Sequence, residues 1–340
     1  MVRTLMLVGV LLVMTSCRTQ YTPQTVEVTE PGPPQRVLPT ITVIDSGMTP
    51  RRPLRYRVGP GQTETLYVEL VRAQAMEARG QGAQTGIPPV QLEVKMGPAS
   101  GTREGFIRHP VAIIQVRLSK AADRMSAAQR QQLEQSLAPL LQVEGWSEMD
   151  AQGRIRRAEF QGTEAIPADL NVMLGNVRSA LLTVPFPDEP LGARARWEVE
   201  RKIQVSGIWV DQVVTYTIVR VQEDSLDLQI SARQSAEPQQ IEIGRVEAYQ
   251  SSIIGSATVR LTHFTPYSEA ESTTQMRLSQ PAPMGESELI RIERRTQVKL
   301  YPAEEADEFH EDPPEPPADP DDAKVITDPD KQKLKWYTPS

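Results

Sequence analysis

Apolar and polar residues alternate one for one along much of this chain, and no other feature restricts its fold so tightly. Trp197, Val199, Ile203 and Val205 fall in one phase, and Arg196, Glu198, Glu200, Lys202 and Gln204 in the other. Ser206-Gly207 then marks a turn into a long apolar-rich run, Ile208 to Val221. Leu226, Leu228 and Ile230 alternate with Asp227, Gln229 and Ser231, and Leu66, Val68 and Leu70 share a phase, as do Leu92, Val94 and Met96. Ile114, Val116 and Leu118 follow the same rule, and Ile290, Ile292, Val298 and Leu300 share a face interrupted by Arg294 and Thr296. A period of two places one side of a strand in a core and the other in water, the habit of antiparallel sheets.

Two segments change period. Ser126 and Gln129 stand in capping-box register at the head of Ser126–Leu141. Leu133, Leu137, Leu140 and Leu141 follow at helical spacing, and Pro139 ends or kinks the helix late in the stretch. The second helix is predicted over Pro167–Thr183, with proline at its first position and Leu170, Met173, Leu174, Val177, Leu181 and Leu182 in one stripe. Between them, Leu141–Met149 and Arg154–Phe160 read as a hairpin about Asp150-Ala151-Gln152-Gly153. The order is strands, helix, hairpin, helix, strands, with no βαβ alternation. The expected class is α+β and β-dominated: a large curved antiparallel sheet, an incomplete barrel, with two helices packed on its apolar face.

The flanks are different. Arg3 precedes an apolar run from Leu5 to Met14, too short to span a bilayer as a helix. Met14-Thr15-Ser16-Cys17 resembles the lipobox of bacterial lipoproteins, which implies cleavage after residue 16 and acylation of Cys17, the one cysteine of the chain. Arg18 in place of Asp implies, by the same resemblance, sorting to the outer membrane, with the chain facing the periplasm. Residues 17–52, with EPGPPQ and MTPRRP, read as the acylated cysteine and a flexible tether, in which Ile41–Ile44 has the makings of an edge strand. Residues 302–340 read as an acidic, proline-rich disordered tail, with 12 acids and four lysines from 303 onward. The tail carries the chain's acidity, and the folded region, 53–301, is nearly neutral.

The stretch PLRYRVGPGQ at 53–62 and the block from Leu191 to Ile230 are similar to an uncharacterised family of bacterial envelope lipoproteins, for which the resemblance implies no activity. More loosely, a curved sheet carrying helices on its concave face is similar to the half-barrels of periplasmic lipoprotein carriers.

The search for chemistry excludes more than it finds. There is no P-loop, no GxSxG and no HExxH, and no two of the three histidines are neighbours in sequence. No metal and no cofactor is expected. His263 is read as lying in a strand with Val259 and Leu261, and His109 as a loop or strand start. The pairs Glu198/Glu200 and Asp224/Asp227 fall on exposed faces or turns, and Arg194, Arg196, Arg291, Arg294 and Arg295 are candidates for a basic patch. Few aromatics and an acidic balance argue against nucleic acid.

The expectation is a non-enzymatic, lipid-anchored envelope protein that meets the membrane through Cys17 and acts as a structural or interaction module toward an envelope partner. The alternative is a carrier of a lipid or other apolar ligand between sheet and helices. Leu170, Met173, Leu174, Val177 and Leu181 are then either plain core or the lining of its cavity. A hydrolase is the third and weakest reading.

Overall fold

The computed structural model describes residues 39–303, except 79–80, 103, 120–121, 123–124, 163–165, 167–169, 171–172, 176, 179–180, 206, 242 and 282–286. Cys17 and the acidic tail lie outside the described residues.

Alternation becomes strands almost everywhere it occurs. In chain order they are β1 (Thr40–Asp45), β2 (Glu64–Ala78), β3 (Gln81–Met96), β4 (Ser100–Gly101), β5 (Ile107–Leu118), β6 (Glu144–Met149) and β7 (Ile155–Gln161). Then follow β8 (Arg196–Val205), β9 (Ile208–Val221), β10 (Ser225–Ala236), β11 (Gln239–Ile241), β12 (Gly244–Arg260), β13 (Tyr267–Pro281) and β14 (Ser287–Pro302). All belong to one antiparallel sheet in the order β1-β8-β9-β10-β12-β13-β14-β2-β3-β5-β6-β7, with β11 beside β12 and β4 beside β5. β1 and β7 are its two edges, so the sheet is not closed into a barrel. It consists of two meanders. β8 to β14 run consecutively, as do β2 to β7, and the seam is the β14–β2 ladder, where Leu300 pairs with Val68 and Ile292 with Met76.

The fold begins before residue 53. β1 pairs with β8, Ile41 opposite Val199 and Val43 opposite Trp197. The Met48 amide donates to the Ala193 carbonyl at 2.8 Å, and that of Arg52 to Leu191 at 3.0 Å. Gly192 lies so close under Met48 that a Cβ there would collide with the Met48 carbonyl. Residues 40–52 are thus part of the sheet's margin. Beyond them Leu54, Tyr56 and Val58 are buried in the core. At the other end β14 runs to Pro302, opposite Leu66, with Tyr301 and Pro302 buried.

Helix α1 (Ala127–Leu137) starts at the expected capping box, with the Ser126 side chain accepting from the Gln129 amide and the Gln129 side chain accepting from Ser126. Leu137 is buried and Leu133 partly so. At Pro139 the helix tightens into a 3-10 turn, Ala138–Gln142, because proline cannot donate and clashes with the preceding turn. The change of pitch keeps Leu140 buried but turns Leu141 outward, 49% exposed, off the expected stripe. In the second segment, residues 170, 173–175 and 177–178 are helical. The hairpin β6–β7 turns at Asp150–Gly153, as its sequence requires, with Gly153 at φ 80°.

The apolar phase of every long strand faces the same way, and we call that side the inner face. The main core on it joins the helical residues to Leu66, Val68, Leu92, Val94, Phe186, Trp197 and Leu226. Trp197 stacks on Tyr216 with ring centroids 5.3 Å apart and donates its indole N–H to the Pro185 carbonyl at 2.9 Å. Each such large side chain contributes about 1.5–3 kcal/mol through burial. A second, smaller cluster fills the far end of the same face, with Ile208, Val210, Val246, Tyr249, Leu278, Ile290 and Ile292 at its centre. Among the described residues it is built from strand residues alone. Val210 and Val246 are fully enclosed.

Two further local expectations fail. Ile114 sits at a β-bulge, because Glu93 pairs with Gln115 while Val94 pairs with Ile113. The extra residue turns out of the face, so His109, Val111 and Ile113 point inward before it and Ile114 is 47% exposed. His263 is not in a strand: β12 ends at Arg260, and residues 261–265 form turns. The strand histidine is His109 in β5, which is buried.

Candidate functional site

The inner face changes character midway along the long strands. Cross-strand pairing sets Arg201 of β8 opposite Gln212 of β9, Gln212 opposite Gln234 of β10, and Gln234 opposite Ser251 of β12. Ser251 faces Thr274 of β13, Thr274 faces Arg294 of β14, and Arg294 faces Gln74 of β2. One polar side chain from each of seven adjacent strands therefore forms a continuous transverse row. On one side it borders the second apolar cluster, through Tyr249, Met276, Ile292 and Met76. On the other, Ala232, Ile253, Ser272, Thr296 and Arg72 begin the approach to the main core.

Polar groups placed between apolar clusters must find partners. The Arg201 Nε donates to the Gln212 side chain at 2.7 Å. The Tyr249 hydroxyl reaches back into the row and donates to Gln234 at 3.1 Å, and Ser251 and Thr274 share a hydrogen bond of 2.9 Å. At the β14–β2 seam, Arg294 Nε and an Arg72 Nη both donate to the Gln74 side-chain oxygen, at 3.2 and 2.7 Å. Burial, reinforced by the neighbouring Arg72 charge and opposed by Tyr249, lowers the Arg294 guanidinium to about 10. Burial also lowers Arg201 and raises the Tyr249 phenol. At about 10, Arg294 remains a cation at neutral pH.

Among the described residues β8, β9, β10, β12, β13, β14 from Ile290 to Pro302 and β2 from Leu66 to Ala78 present no Asp or Glu in this phase, and Glu288, at the head of β14, shares it about 20 Å along the strand from Arg294. Glu64, at the start of β2, shares the phase but lies eight residues from Arg72, about 26 Å along the strand, and accepts from the Phe264 amide at 2.8 Å. Between the polar row and the helix-covered core runs an apolar lane of Ile230, Gly255, Ala270 and Val298, cross-strand neighbours in series and each half-buried.

The other expected positions are dispersed. Leu170, Met173, Leu174 and Val177 are at most 4% exposed inside the main core, and Leu181 packs against it partly buried. His109 lies against Phe264 at 4.4 Å between ring centroids, and its Nδ1 finds no hydrogen-bond partner among the described residues. Burial lowers it to about 4. His263 Nδ1 is 3.1 Å from the Thr262 hydroxyl. Glu198 accepts from Thr215, Asp224 pairs with Arg57, and Asp227 lies 3.5 Å from Arg220. The proposed arginine patch divides: Arg291 and Arg295 point outward to Glu77 and Glu293, whereas Arg294 points inward. A cleft of about 890 Å³ lies against the outward side chains Glu77, Arg277, Arg291 and Glu293, whose charges balance. Arg72 and Arg201 carry the same sequence signal as Arg294, a charged residue in the apolar phase of its strand, and join the site through pairing alone. Among the described residues no group of three or more His, Cys, Asp or Glu is placed to hold a metal ion, and no helix is long and apolar enough to cross a membrane.

No family model matches the chain, and no curated protein matches it. Among solved structures it is similar to lipovitellin, in a study of its lipid–protein interactions, at 12% identity and a TM-score of 0.37, over 72% of this chain and 25% of that one. The chain thus spans about a quarter of the length of that protein. It is also similar to two mutants of Rh. blastica porin, at 8% and 9% identity and TM-scores of 0.19, over 71% and 70% of this chain and the whole of theirs. At these scores the likenesses carry no functional argument.

Proposed function

We propose that this chain is a lipid-anchored protein of the bacterial envelope, acylated at Cys17 and held at the outer membrane facing the periplasm, and that its sheet is a non-enzymatic module binding a lipid or other apolar ligand. The observation that carries the binding reading is the half-buried lane of Ile230, Gly255, Ala270 and Val298. It leaves apolar surface open to solvent on a face whose two ends are filled. Apolar surface left wet on an inner face is stabilised by any chain that covers it, at about 25 cal/mol per Å². The interaction-module reading rests on no particular surface of the described residues, whereas the lane supplies one for an acyl chain. The reading of Cys17 rests on the lipobox-like Met14-Thr15-Ser16-Cys17.

The test is native mass spectrometry of the full chain released from membranes in a mild detergent, followed by denaturing analysis to separate covalent from non-covalent lipid. About one non-covalent lipid per chain, lost on denaturation, is expected. A chain that emerges without lipid, and takes none from vesicles, would refute the binding module.

A further inference from the structure

The polar row suggests what kind of lipid. Arg72 and Arg294 converge on one neutral oxygen of Gln74, which places the two donating nitrogens within about 6 Å of each other, where like charges repel. Among the described residues, the groups that face Arg294 are Arg72, Gln74 and Tyr249, with Thr274 its cross-strand neighbour. Among the described residues two hydroxyls, an amide and two cations thus gather here, and no Asp or Glu holds this phase from Ile290 to Val298 of β14 or from Leu66 to Ala78 of β2. As plain structure this costs stability, since apolar residues in the same phase pack on both sides of it at no electrostatic cost. As a receptor it is complementary to an anion, which each guanidinium binds through charge-assisted hydrogen bonds. The apolar lane starts two rows from Arg294 along the same strands, roughly 13 Å at the strand rise per residue.

We propose that the ligand of the inner face is an anionic lipid, its head group held at Arg294 and Arg72 beside Gln74 and its tail laid along the lane toward the main core. This rests on the binding reading above, and it names the chemical class which that reading leaves open.

The test is isothermal titration of the full chain carrying Cys17→Ser with three probes: dodecanoate, dodecanol and inorganic phosphate. The two C12 probes share a tail and differ in head charge. Dodecanoate is expected to bind about tenfold more tightly than dodecanol. Arg294→Gln should bring the two within about twofold by weakening dodecanoate alone, and Arg294→Lys should restore part of the preference. Equal affinity of the two probes for the protein with Arg294 intact would overturn the anionic-lipid inference and leave the apolar-ligand reading standing. Phosphate binding as tightly as dodecanoate would overturn it in favour of a small-anion site. If neither C12 probe binds, both readings fall. The dodecanoate-to-dodecanol ratio needs no variant at Arg294, so it decides the matter even if Arg294→Gln does not fold.

Discussion

At Gln74 a single side-chain oxygen accepts from two guanidiniums that are 222 residues apart in sequence. Neither arginine is unusual by itself. What distinguishes them is phase, since each occupies an inward position where its strand is otherwise apolar. His109 shows the same principle in a neutral residue. Its ring is buried against Phe264, and burial holds it near 4, so the folded protein keeps it uncharged where the unfolded chain protonates it. The unfolded state then binds more protons between roughly pH 6.5 and 4, and stability must fall as pH drops through that window, by about 3 kcal/mol in all from this group. Urea unfolding at pH 7 and pH 4.5 should show that loss in the native protein and a smaller loss in His109→Gln. An equal loss in both would remove His109 from the account.

Among the elements, local chemistry and tertiary demand are visible side by side. The Ser126–Gln129 capping box starts α1 as its spacing requires, on an exposed surface where little else holds that end. Ser126→Ala should therefore cost about 1 kcal/mol in equilibrium unfolding, with no change in the sheet; a neutral result would mean that α1 is held wholly by its packing. Leu141, by contrast, has helical spacing but not helical geometry, because Pro139 converts the last turn. The bulge at Ile114 is a similar case. Counting by twos along β5 fails there, since pairing with β3 skips one residue and reverses the face of everything after it. His263 departs from its expected strand for a related reason: Leu261 keeps the phase of Val259, but β12 has already ended at Arg260.

At the scale of the whole molecule, the proposed anchor and the proposed binding face are separable by experiment. Cys17→Ser should move the protein from the membrane fraction to the soluble fraction without changing its unfolding midpoint; retention at the membrane would refute the acyl anchor. The strands, their buried faces, the hairpin about Asp150–Gly153 and the start of α1 were legible in the sequence, because each depends on residues within one or two turns or a period of two. The β-dominated class followed from the same alternation. The edge strand at Ile41–Ile44 was legible too, but its pairing with β8, the attachment of residues 46–52 to the sheet margin, the β14–β2 seam and the polar row were not. They depend on strand register between segments far apart in the chain, and register is set by the summed packing of whole faces. Alternation determined that Arg72, Arg201 and Arg294 would point inward, but only the pairing of distant strands decided that Arg72 and Arg294 would meet at Gln74, because loop closure over two hundred residues leaves no trace in local spacing.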